Sequence, residues 1–356
     1  MLGIGRYARG LIDALDSRGD TQLAMFFRLS RLRRARQRLA APSSRVTRHF
    51  FTESTARWQL AHYDVVHGLD ARIPRCSIAT VATVHDVFSR KREDFAKEHF
   101  RRKKLDRYAD IAENATRIVV PTQAVLEELV GYYPAAKGRV HAVHHGIDPS
   151  LFEISEVEAA SRRAALGLVR PYVLSLGPPS VRKNTVRLVQ AFDRLAPDFP
   201  EHELVLSGVA PEDSRALRET IEALRARDRI RMPGYLDWPD LQAAYAGAEV
   251  FSFATLAEGF GIPLVEAQAV GTPVLASDQP VAREVGGDAP LYVDPESIEA
   301  IEAGLKQLLG EGETERAERI RGGRSWAGRF RWERAAAETL AVYREAIATH
   351  RSAQGG

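Results

Sequence analysis

The sequence predicts an α/β fold with two doubly wound halves, and three observations lead to this prediction. Short apolar runs alternate with amphipathic helical stretches along most of the 356 residues. This alternation is interrupted by the Gly-Ile-Asp-Pro segment at residues 146–149, after which a polar, alanine-rich segment continues to residue 170. A second α/β series then begins, and the chain is long enough for two domains of ordinary size. We therefore assign residues 1–150 to a first domain and residues 151–331 to a second.

The first half begins with a helix and continues with alternating strands and helices. Apolar residues that include Ile4, Tyr7 and Leu11 recur at helical spacing, and Gly19 ends this helix. The apolar runs predict strands at residues 23–27, 46–51, 64–67, 79–85, 117–121 and 140–144, and helices at 90–114 and 122–132. This alternation is typical of a doubly wound half.

The second half shows the same alternation. Strands are predicted at residues 172–176, 203–207, 229–232, 249–254 and 272–276, and helices at 185–196, 212–226, 238–246 and 263–270. Further helices are predicted at residues 297–309 and 332–348. The near-continuous apolar character of these strands is typical of a parallel sheet that is buried on both faces.

The composition excludes several classes of protein. Lysine and arginine total 50 against 47 aspartates and glutamates, and a net charge of +3 is too small to indicate nucleic-acid binding. Cys76 is the only cysteine, which excludes an intramolecular disulfide bond and a cysteine-cluster metal site. No apolar segment reaches the roughly 18 residues of a membrane span, and the N-terminus lacks the apolar core of a signal peptide. We expect a cytoplasmic protein, or one bound peripherally to the inner face of the cytoplasmic membrane.

Two carboxylates lie eight positions apart in the segment EGFGIPLVE, which begins at Glu258 and ends at Glu266. The segment follows a predicted buried strand and enters a helix whose first turn is expected to contain Glu266. Such loops bind ligands because the backbone N–H groups at a helix start are unpaired. Glycines at 259 and 261 admit a ligand to the backbone, and the carboxylates can accept hydrogen bonds from sugar hydroxyls. Either acid alone also fits a solvated loop or compensation of the helix dipole.

Arg182 and Lys183 place two positive charges just before the predicted helix at residues 185–196. The helix dipole disfavours cations at this end, so an anion bound jointly by the helix start and the two side chains would explain them. A solvated pair of loop cations is the alternative interpretation.

Histidines end two predicted strands of the first half. His85 follows a long apolar strand and is the stronger candidate for a site, whereas His67 is weaker, and a structural role stays open for both. His141, His144 and His145 fall on different faces of one short run, which argues against a three-histidine metal site. No Asp-x-Asp pair occurs in the sequence, and we predict no metal site.

The carboxylate segment belongs to a longer pattern, which consists of Glu258-Gly259-Phe260-Gly261, Pro263, Glu266-Ala267 and Gly271-Thr272-Pro273-Val274. This pattern resembles the signature of the retaining, nucleotide-sugar-dependent glycosyltransferases of family four, in which two glutamates are separated by seven residues. Members commonly have Pro-Ser where this chain has Ala-Thr at residues 254–255, which is a mild departure. The resemblance implies the GT-B fold, with two Rossmann-like domains facing each other across a cleft and the last helix crossing back onto the first domain.

The resemblance also implies roles for individual side chains. Glu258 would hold hydroxyl groups of the donor sugar, and Glu266 would accept a hydrogen bond from the ribose. His85 belongs to a Val-His-Asp segment similar to one whose histidine faces the donor sugar in this family.

The leaving diphosphate would be bound without a metal ion, by side-chain charges and backbone N–H groups. The residues implied in this donor binding are Gly3, Arg182, Lys183, Gly259, Phe260 and Gly261. The nucleotide base is expected to contact the backbone near residues 232–235.

The opening segment Gly-Ile-Gly-Arg-Tyr, residues 3–7, resembles the glycine-rich loop that follows the first strand in many of these transferases. The resemblance implies that the first domain lacks its first strand, through either a late start-site assignment or a genuine shortening. We expect an extension that restores this strand to stabilise the first domain.

A basic stretch in the first half has two interpretations. No acidic residue lies between Thr21 and Thr52, whereas eight arginines lie from Arg28 to Arg48 among large apolar side chains. The stretch is either a solvated basic face or a surface that contacts an anionic membrane.

The sequence thus predicts a hexosyltransferase that uses a GDP- or UDP-linked sugar, with mannose favoured. Its acceptor would be a glycan or a lipid-linked molecule in the synthesis of a cell-surface polysaccharide. Two alternatives stay open: a sugar-nucleotide epimerase with the same two-domain plan, and a catalytically silent subunit that activates a partner transferase.

Overall fold

The computed structural model describes residues 3–31, 43–95, 98–209 and 215–354. The chain divides into two compact units, one formed by Met1–Ile147 with Phe330–Gly356 and the other by Asp148–Arg329. This division lies close to the predicted boundaries at residues 150 and 331, and it places the C-terminal helix in the first unit.

The described residues form twelve strands and fourteen helices. The strands are β1 (Ala24–Arg28), β2 (Thr47–Phe51), β3 (Val65–Gly68), β4 (Ala79–Thr83), β5 (Arg117–Val120), β6 (Val140–Ala142), β7 (Tyr172–Leu176), β8 (Glu203–Ser207), β9 (Ile230–Gly234), β10 (Val250–Phe253), β11 (Val274–Ser277) and β12 (Leu291–Val293). The helices are α1 (Gly3–Arg18), α2 (Glu53–Leu60), α3 (Phe88–Lys91), α4 (Glu98–Asn114), α5 (Gln123–Tyr132), α6 (Glu156–Ala165), α7 (Thr185–Leu195), α8 (Arg215–Glu222), α9 (Trp238–Gly247), α10 (Ile262–Val270), α11 (Pro280–Gly286), α12 (Ile298–Leu309), α13 (Glu313–Ala327) and α14 (Trp332–Gln354). None of these described helices is long and apolar enough to cross a bilayer.

The first unit contains two parallel sheets. β1 pairs with β2, and β3, β4, β5 and β6 form a four-stranded sheet in that order. No described strand joins the two sheets. Tyr7 and Leu11 of α1, Val81 of β4 and Leu340 of α14 belong to one buried apolar cluster. The last helix of the chain therefore packs against the first helix and against the four-stranded sheet.

The second unit contains one six-stranded parallel sheet with the strand order β12-β11-β10-β7-β8-β9. This is the doubly wound arrangement predicted from the sequence, and the strand order reverses between β7 and β10. Phe192 of α7, Leu204 of β8 and Leu305 of α12 are fully buried members of its core. In such sheets, ligands bind beyond the carboxyl ends of the two strands between which the strand order reverses. Here these strands are β7 and β10, so the loops that follow them are the expected site.

Several elements differ from the prediction. The single helix predicted at residues 90–114 consists of α3, a 3₁₀ turn at Glu93–Phe95 and α4 among the described residues. The predicted connection after residue 150 contains α6, which is N-capped by Ser155 and has Ala159 as its buried residue. Ala, Glu and Arg make up most of this helix and favour helical structure, so the prediction of a connection here is wrong. α2, α11, α13 and β12 are further elements that the prediction missed.

Candidate functional site

A carboxylate and two cations meet in the second unit, in the loops that follow β7 and β10. Nη1 of Arg182 lies 2.5 Å and Nζ of Lys183 lies 2.8 Å from the same oxygen, Oε1 of Glu258. The three side chains are 18%, 13% and 16% exposed, in that order. The structure thus brings the two predicted anion-binding side chains together with the first of the two predicted carboxylates.

Local hydrogen bonds hold the segment that carries the cations. The hydroxyl of Ser180 accepts a hydrogen bond from the backbone N–H of Lys183 over 3.3 Å and caps the 3₁₀ turn there. Asn184 then adopts the left-handed conformation, with φ of +57°, and begins α7. Its side-chain amide donates to the carbonyl oxygens of Ala254 and Pro295, over 2.9 and 2.6 Å. The turn after β7 is therefore tied to the end of β10.

Two glycines make this packing possible. Gly177 has φ of +117°, and a Cβ atom there would lie 2.9 Å from Cε of Lys183. Gly261 has φ of +96° directly before α10, and a Cβ atom there would lie 2.9 Å from Cζ of Phe253. A larger residue at either position would be strained and would displace the lysine or the aromatic ring.

The surroundings of Glu258 favour its charged form. Burial by itself raises the pKa of this carboxyl group, but attraction to Lys183 and Arg182 and their hydrogen bonds lower it below its ordinary value. The cluster therefore holds one negative and two positive charges at neutral pH. This excess of positive charge can bind a further anion.

The other predicted donor-binding positions are placed as follows. Gly259 and Phe260 are buried, so the ring of Phe260 belongs to the protein interior. Gly3 is the first residue of α1 rather than part of a loop before it. No described atom would lie within 4 Å of a Cβ atom on Gly3, so its surroundings do not require glycine.

Glu266 lies in the interior, and its predicted place in the first turn of a helix is wrong. α10 begins at Ile262, which places Glu266 in the second turn. Glu266 is 2% exposed, and its Oε2 accepts a hydrogen bond from the hydroxyl of Tyr245 over 3.1 Å. The prediction started the helix at Pro263, but a proline also fits the second helical position because its missing N–H would be unpaired there.

His85 lies two residues beyond the end of β4 in the first unit. Its Nε2 lies 2.9 Å from the carbonyl oxygen of Leu69. Because a carbonyl oxygen only accepts, Nε2 carries the proton and Nδ1 of the neutral ring is an acceptor. Burial lowers the pKa of His85, which keeps the ring neutral at pH 7.

A series of hydrogen bonds between neutral groups joins α1, β3, β4 and α14 near His85. The hydroxyl of Tyr7 lies 2.9 Å from Oγ1 of Thr83, which lies 2.7 Å from Nε2 of His67. Nδ1 of His67 lies 2.7 Å from the hydroxyl of Tyr343. Burial lowers the pKa of His67 to about 3, with a smaller effect of His85, and burial raises the pKa of both tyrosines. The sequence indicated only the two histidines as candidate site residues here, because the other members belong to elements far apart in the chain.

The histidines in and after β6 have different neighbours. Nε2 of His141 lies 3.4 Å from a carboxylate oxygen of Glu345. The ring of His145 is 4% exposed, and its centre lies 4.5 Å from that of Tyr7. Within the part of the chain that the structure describes, no group of three or more His, Cys, Asp or Glu residues is placed to hold a metal ion.

Residues 32–42 of the basic stretch lie outside the described residues, so the structure bears on its ends alone. Arg28 pairs with Glu53 over 2.6 Å, and Nε of Arg45 lies 3.6 Å from Oδ1 of Asp16. Acids from neighbouring segments thus pair with two of its eight arginines, although the stretch itself contains no acid.

Comparison with known proteins gives matches to both halves of the chain. Residues 2–151 match the profile of the Glycosyltransferase Family 4, and residues 158–326 match that of the Glycosyl transferases group 1. An O-antigen chain mannosyltransferase B of Escherichia coli is 33% identical over 174 residues, which are 49% of this chain and 45% of that protein. An MMP α-(1→4)-mannosyltransferase of Mycolicibacterium hassiacum is 28% identical over 306 residues, 80% of this chain and 71% of that protein. The chain thus spans about half the length of the first of these relatives.

The fold is also shared with solved structures. The crystal structure of HepE from Anabaena in complex with UDP matches with a TM-score of 0.74, covering 96% of each chain at 19% identity. At this identity the likeness shows the fold alone. The family assignment rests on the sequence matches, which extend over both halves of the chain. The chain therefore belongs to the family 4, group 1 glycosyltransferases with the GT-B fold.

Proposed function

We propose that this chain is a retaining glycosyltransferase that moves a hexose, with mannose favoured, from a nucleotide sugar to a glycan or lipid-linked acceptor. The product would be part of a cell-surface polysaccharide. The observation that carries the proposal is the convergence of Arg182 and Lys183 on Glu258 at the carboxyl edge of the second unit's sheet. Similarity to an O-antigen mannosyltransferase and to a second mannosyltransferase supports the choice of sugar.

Arg182 and Lys183 would bind the diphosphate of the donor. Negative charge develops on this group as its bond to the sugar breaks, and positive groups already in place there stabilise the transition state. Charge-assisted hydrogen bonds to phosphate are about twice as strong as hydrogen bonds between neutral groups. The start of α10, which has no side-chain cap, adds the favourable end of a helix dipole. These groups would allow the reaction to proceed without a metal ion.

The sugar and the ribose are assigned to carboxylates on the resemblance to the family. Glu258 would accept hydrogen bonds from hydroxyls of the donor sugar, and Glu266 would accept one from the ribose beside the bond it accepts from Tyr245. His85 is assigned to the donor sugar because of its Val-His-Asp segment. Retention would follow if an oxygen of the leaving diphosphate assists the acceptor on the same face of the sugar.

The nucleotide provides the first test. The mannose assignment favours GDP, whereas the HepE structure contains UDP. Thermal unfolding of the purified protein would be measured with UDP, GDP and ADP and with their sugars, because a ligand of the folded state raises Tm. A rise for one series, together with release of the nucleoside diphosphate from its sugar, supports the proposal.

Other outcomes of this test point to the alternatives. A rise in Tm without consumption of any donor would indicate a catalytically silent binding subunit. Conversion of the sugar nucleotide to its epimer, without release of the diphosphate, would indicate an epimerase.

We also propose that the protein is cytoplasmic and binds the inner face of the membrane through the stretch from Arg28 to Arg48. Basic residues near an anionic surface contribute roughly 1 kcal/mol each. Reversing Arg31, Arg34 and Arg38 to glutamate should abolish sedimentation of the protein with anionic vesicles at low salt.

A matched control reverses three arginines of the second unit, of which Arg215 and Arg227 are exposed and Arg170 is partly exposed. The change in net charge is the same, so this variant should sediment like the wild type if the stretch is the contact. Equal sedimentation of the two triple variants would contradict a local contact and favour a soluble acceptor.

A further inference from the structure

We infer that Glu258 is an exchangeable counter-ion, which occupies on Arg182 and Lys183 the place that a phosphate group of the donor takes and must leave when the donor binds. The inference rests on the proposed function, because it concerns the same two cations. It adds a step to donor binding: the carboxylate compensates the two cations until a phosphate group of the donor displaces it.

The first argument is the geometry of the contact. Both cations donate to one oxygen, Oε1 of Glu258, over 2.5 and 2.8 Å. A phosphate oxygen between the same two nitrogens would need the same position, since N–H groups donate to carboxylate and phosphate oxygens at similar distances. A phosphate oxygen cannot take this position while Oε1 of Glu258 occupies it, so the carboxylate and the phosphate compete for the two cations.

The second argument is that the segment carrying the cations has hydrogen bonds of its own, in which the carboxylate of Glu258 takes no part. The backbone carbonyl of Arg182 accepts from the N–H of Leu256 over 2.8 Å, and its guanidinium donates to the carbonyl oxygen of Ala257. The stem of Lys183 lies against Gly177, where an added Cβ atom would be 2.9 Å from Cε. The described hydrogen bonds of the Glu258 carboxylate are those to the two cations, so this side chain can rotate away when another anion takes its place.

The third argument is electrostatic. Removing one partner from a partly buried group of charges leaves the others without compensation, which is strongly unfavourable unless another ion replaces it. Without the carboxylate, the two cations would therefore bind a diphosphate more tightly, because no counter-ion would have to be displaced first. A role of Glu258 restricted to sugar hydroxyls predicts no effect on an anion that carries no sugar.

Protonation provides a signature that needs no variant. The nearby cations lower the pKa of Glu258 against the opposing effect of burial. When a bound anion takes over the cations, this lowering is lost and the pKa of Glu258 rises. Between the two pKa values, binding of the anion should thus be accompanied by proton uptake, and affinity should increase as the pH falls through that range.

The test is calorimetric titration of the full chain with inorganic pyrophosphate. Glu258→Gln should bind pyrophosphate about tenfold or more tightly than the wild type. Pyrophosphate itself titrates in mildly acidic buffers, so the proton taken up by Glu258 is measured as a difference between the two proteins. The binding enthalpy, measured in buffers of different ionisation enthalpy, should report more proton uptake for the wild type than for Glu258→Gln. Glu249→Gln removes a partly exposed acid elsewhere in the second unit and should leave pyrophosphate affinity unchanged.

The outcomes separate the inference from the proposed function. Equal or weaker binding of pyrophosphate by a folded Glu258→Gln variant would overturn the counter-ion role, as would equal proton uptake by the wild type and this variant. If the Gln variant does not fold, the buffer dependence of the enthalpy with which the wild type binds sulfate, an anion that does not titrate in this range, decides alone. The proposed function fails by a different result, namely that Lys183→Ala does not change the affinity for nucleoside diphosphates.

Discussion

The two units each gather polar side chains at the carboxyl end of a parallel strand, but the two clusters differ in charge. In the first unit, Thr83 and His67 link two tyrosines by hydrogen bonds between neutral groups. In the second unit, Glu258 lies between two cations. The first cluster joins four elements of its unit, whereas the second contains two loops.

The difference shows how each cluster balances the cost of burying polar groups. A buried neutral group needs only a hydrogen-bond partner, so the first cluster is complete without a ligand. A buried charge needs an opposite charge, and Glu258 supplies one to Arg182 and Lys183, as the phosphate groups of a donor could also do. We therefore expect changes in the first cluster to affect stability and changes in the second to affect binding and transfer.

The largest effect is expected for Glu258→Gln. The amide keeps the shape of the side chain but replaces one acceptor oxygen by an NH₂ group. This group cannot accept the hydrogen bond that a sugar hydroxyl donates to the carboxylate oxygen. Transfer should fall roughly a hundredfold or more, while the fold survives. Initial rates with the donor found by thermal unfolding would measure this, with Glu249→Gln as the matched control. Wild-type kinetics in the Glu258 variant would remove it from the catalytic assignment.

Loss of a cation should have the next largest effect. Lys183→Ala removes a charge-assisted contact worth about 1.5 to 3 kcal/mol, which corresponds to roughly a ten- to hundredfold loss of affinity for the nucleoside diphosphate. Arg182→Ala should cost less. Calorimetry would measure both affinities, and an unchanged value for the Lys183 variant would contradict the anion site.

Thr83→Val should reduce stability without reducing binding. Valine has nearly the same shape but leaves the hydroxyl of Tyr7 and Nε2 of His67 without the partner they have in the structure. The free energy of unfolding should fall by about 1 to 3 kcal/mol. Denaturant unfolding measures this loss, and the affinity for pyrophosphate, which is a property of the second unit, should stay the same. A reversed pattern, with stability kept and affinity lost, would show that the comparison between the clusters is wrong.

The effect that is smallest at neutral pH is the one that His67 has on the dependence of stability on pH. Burial lowers the pKa of His67 from 6.5 to about 3, so the unfolded chain binds a proton between these values that the folded chain does not. The free energy of unfolding is therefore highest above pH 6.5. It falls as the pH falls towards 3, by up to about 1.4 kcal/mol per pH unit for one group. His67→Gln should flatten this slope in unfolding experiments between pH 4 and 7. An identical slope in the variant would show that His67 does not titrate in this way.

Much of the second unit follows from local sequence patterns. β7 and β8 have the predicted bounds, Tyr172–Leu176 and Glu203–Ser207. These strands are apolar runs ended by polar or glycine residues, and such runs are easy to recognise because the sheet is buried on both faces. α6 was missed because its alanine-rich, polar sequence also fits a connection between two halves, and Glu266 was assigned to the wrong turn because the helix starts one residue earlier than predicted.

The sequence by itself determined the family, the α/β alternation of both halves with eleven of the twelve described strands, and the loop position of Glu258, because these depend on spacing along the chain. Only the tertiary structure decided which side chains meet. Arg182 and Glu258 are 76 positions apart, and they become neighbours because β10 pairs with β7, so that the loops after both strands lie at one edge of the sheet. Likewise, Tyr343 of α14 reaches His67 across 276 positions because the last helix packs in the first unit. Apolar periodicity identifies strands and helices but not which of them become neighbours, since pairing depends on the packing of the whole unit.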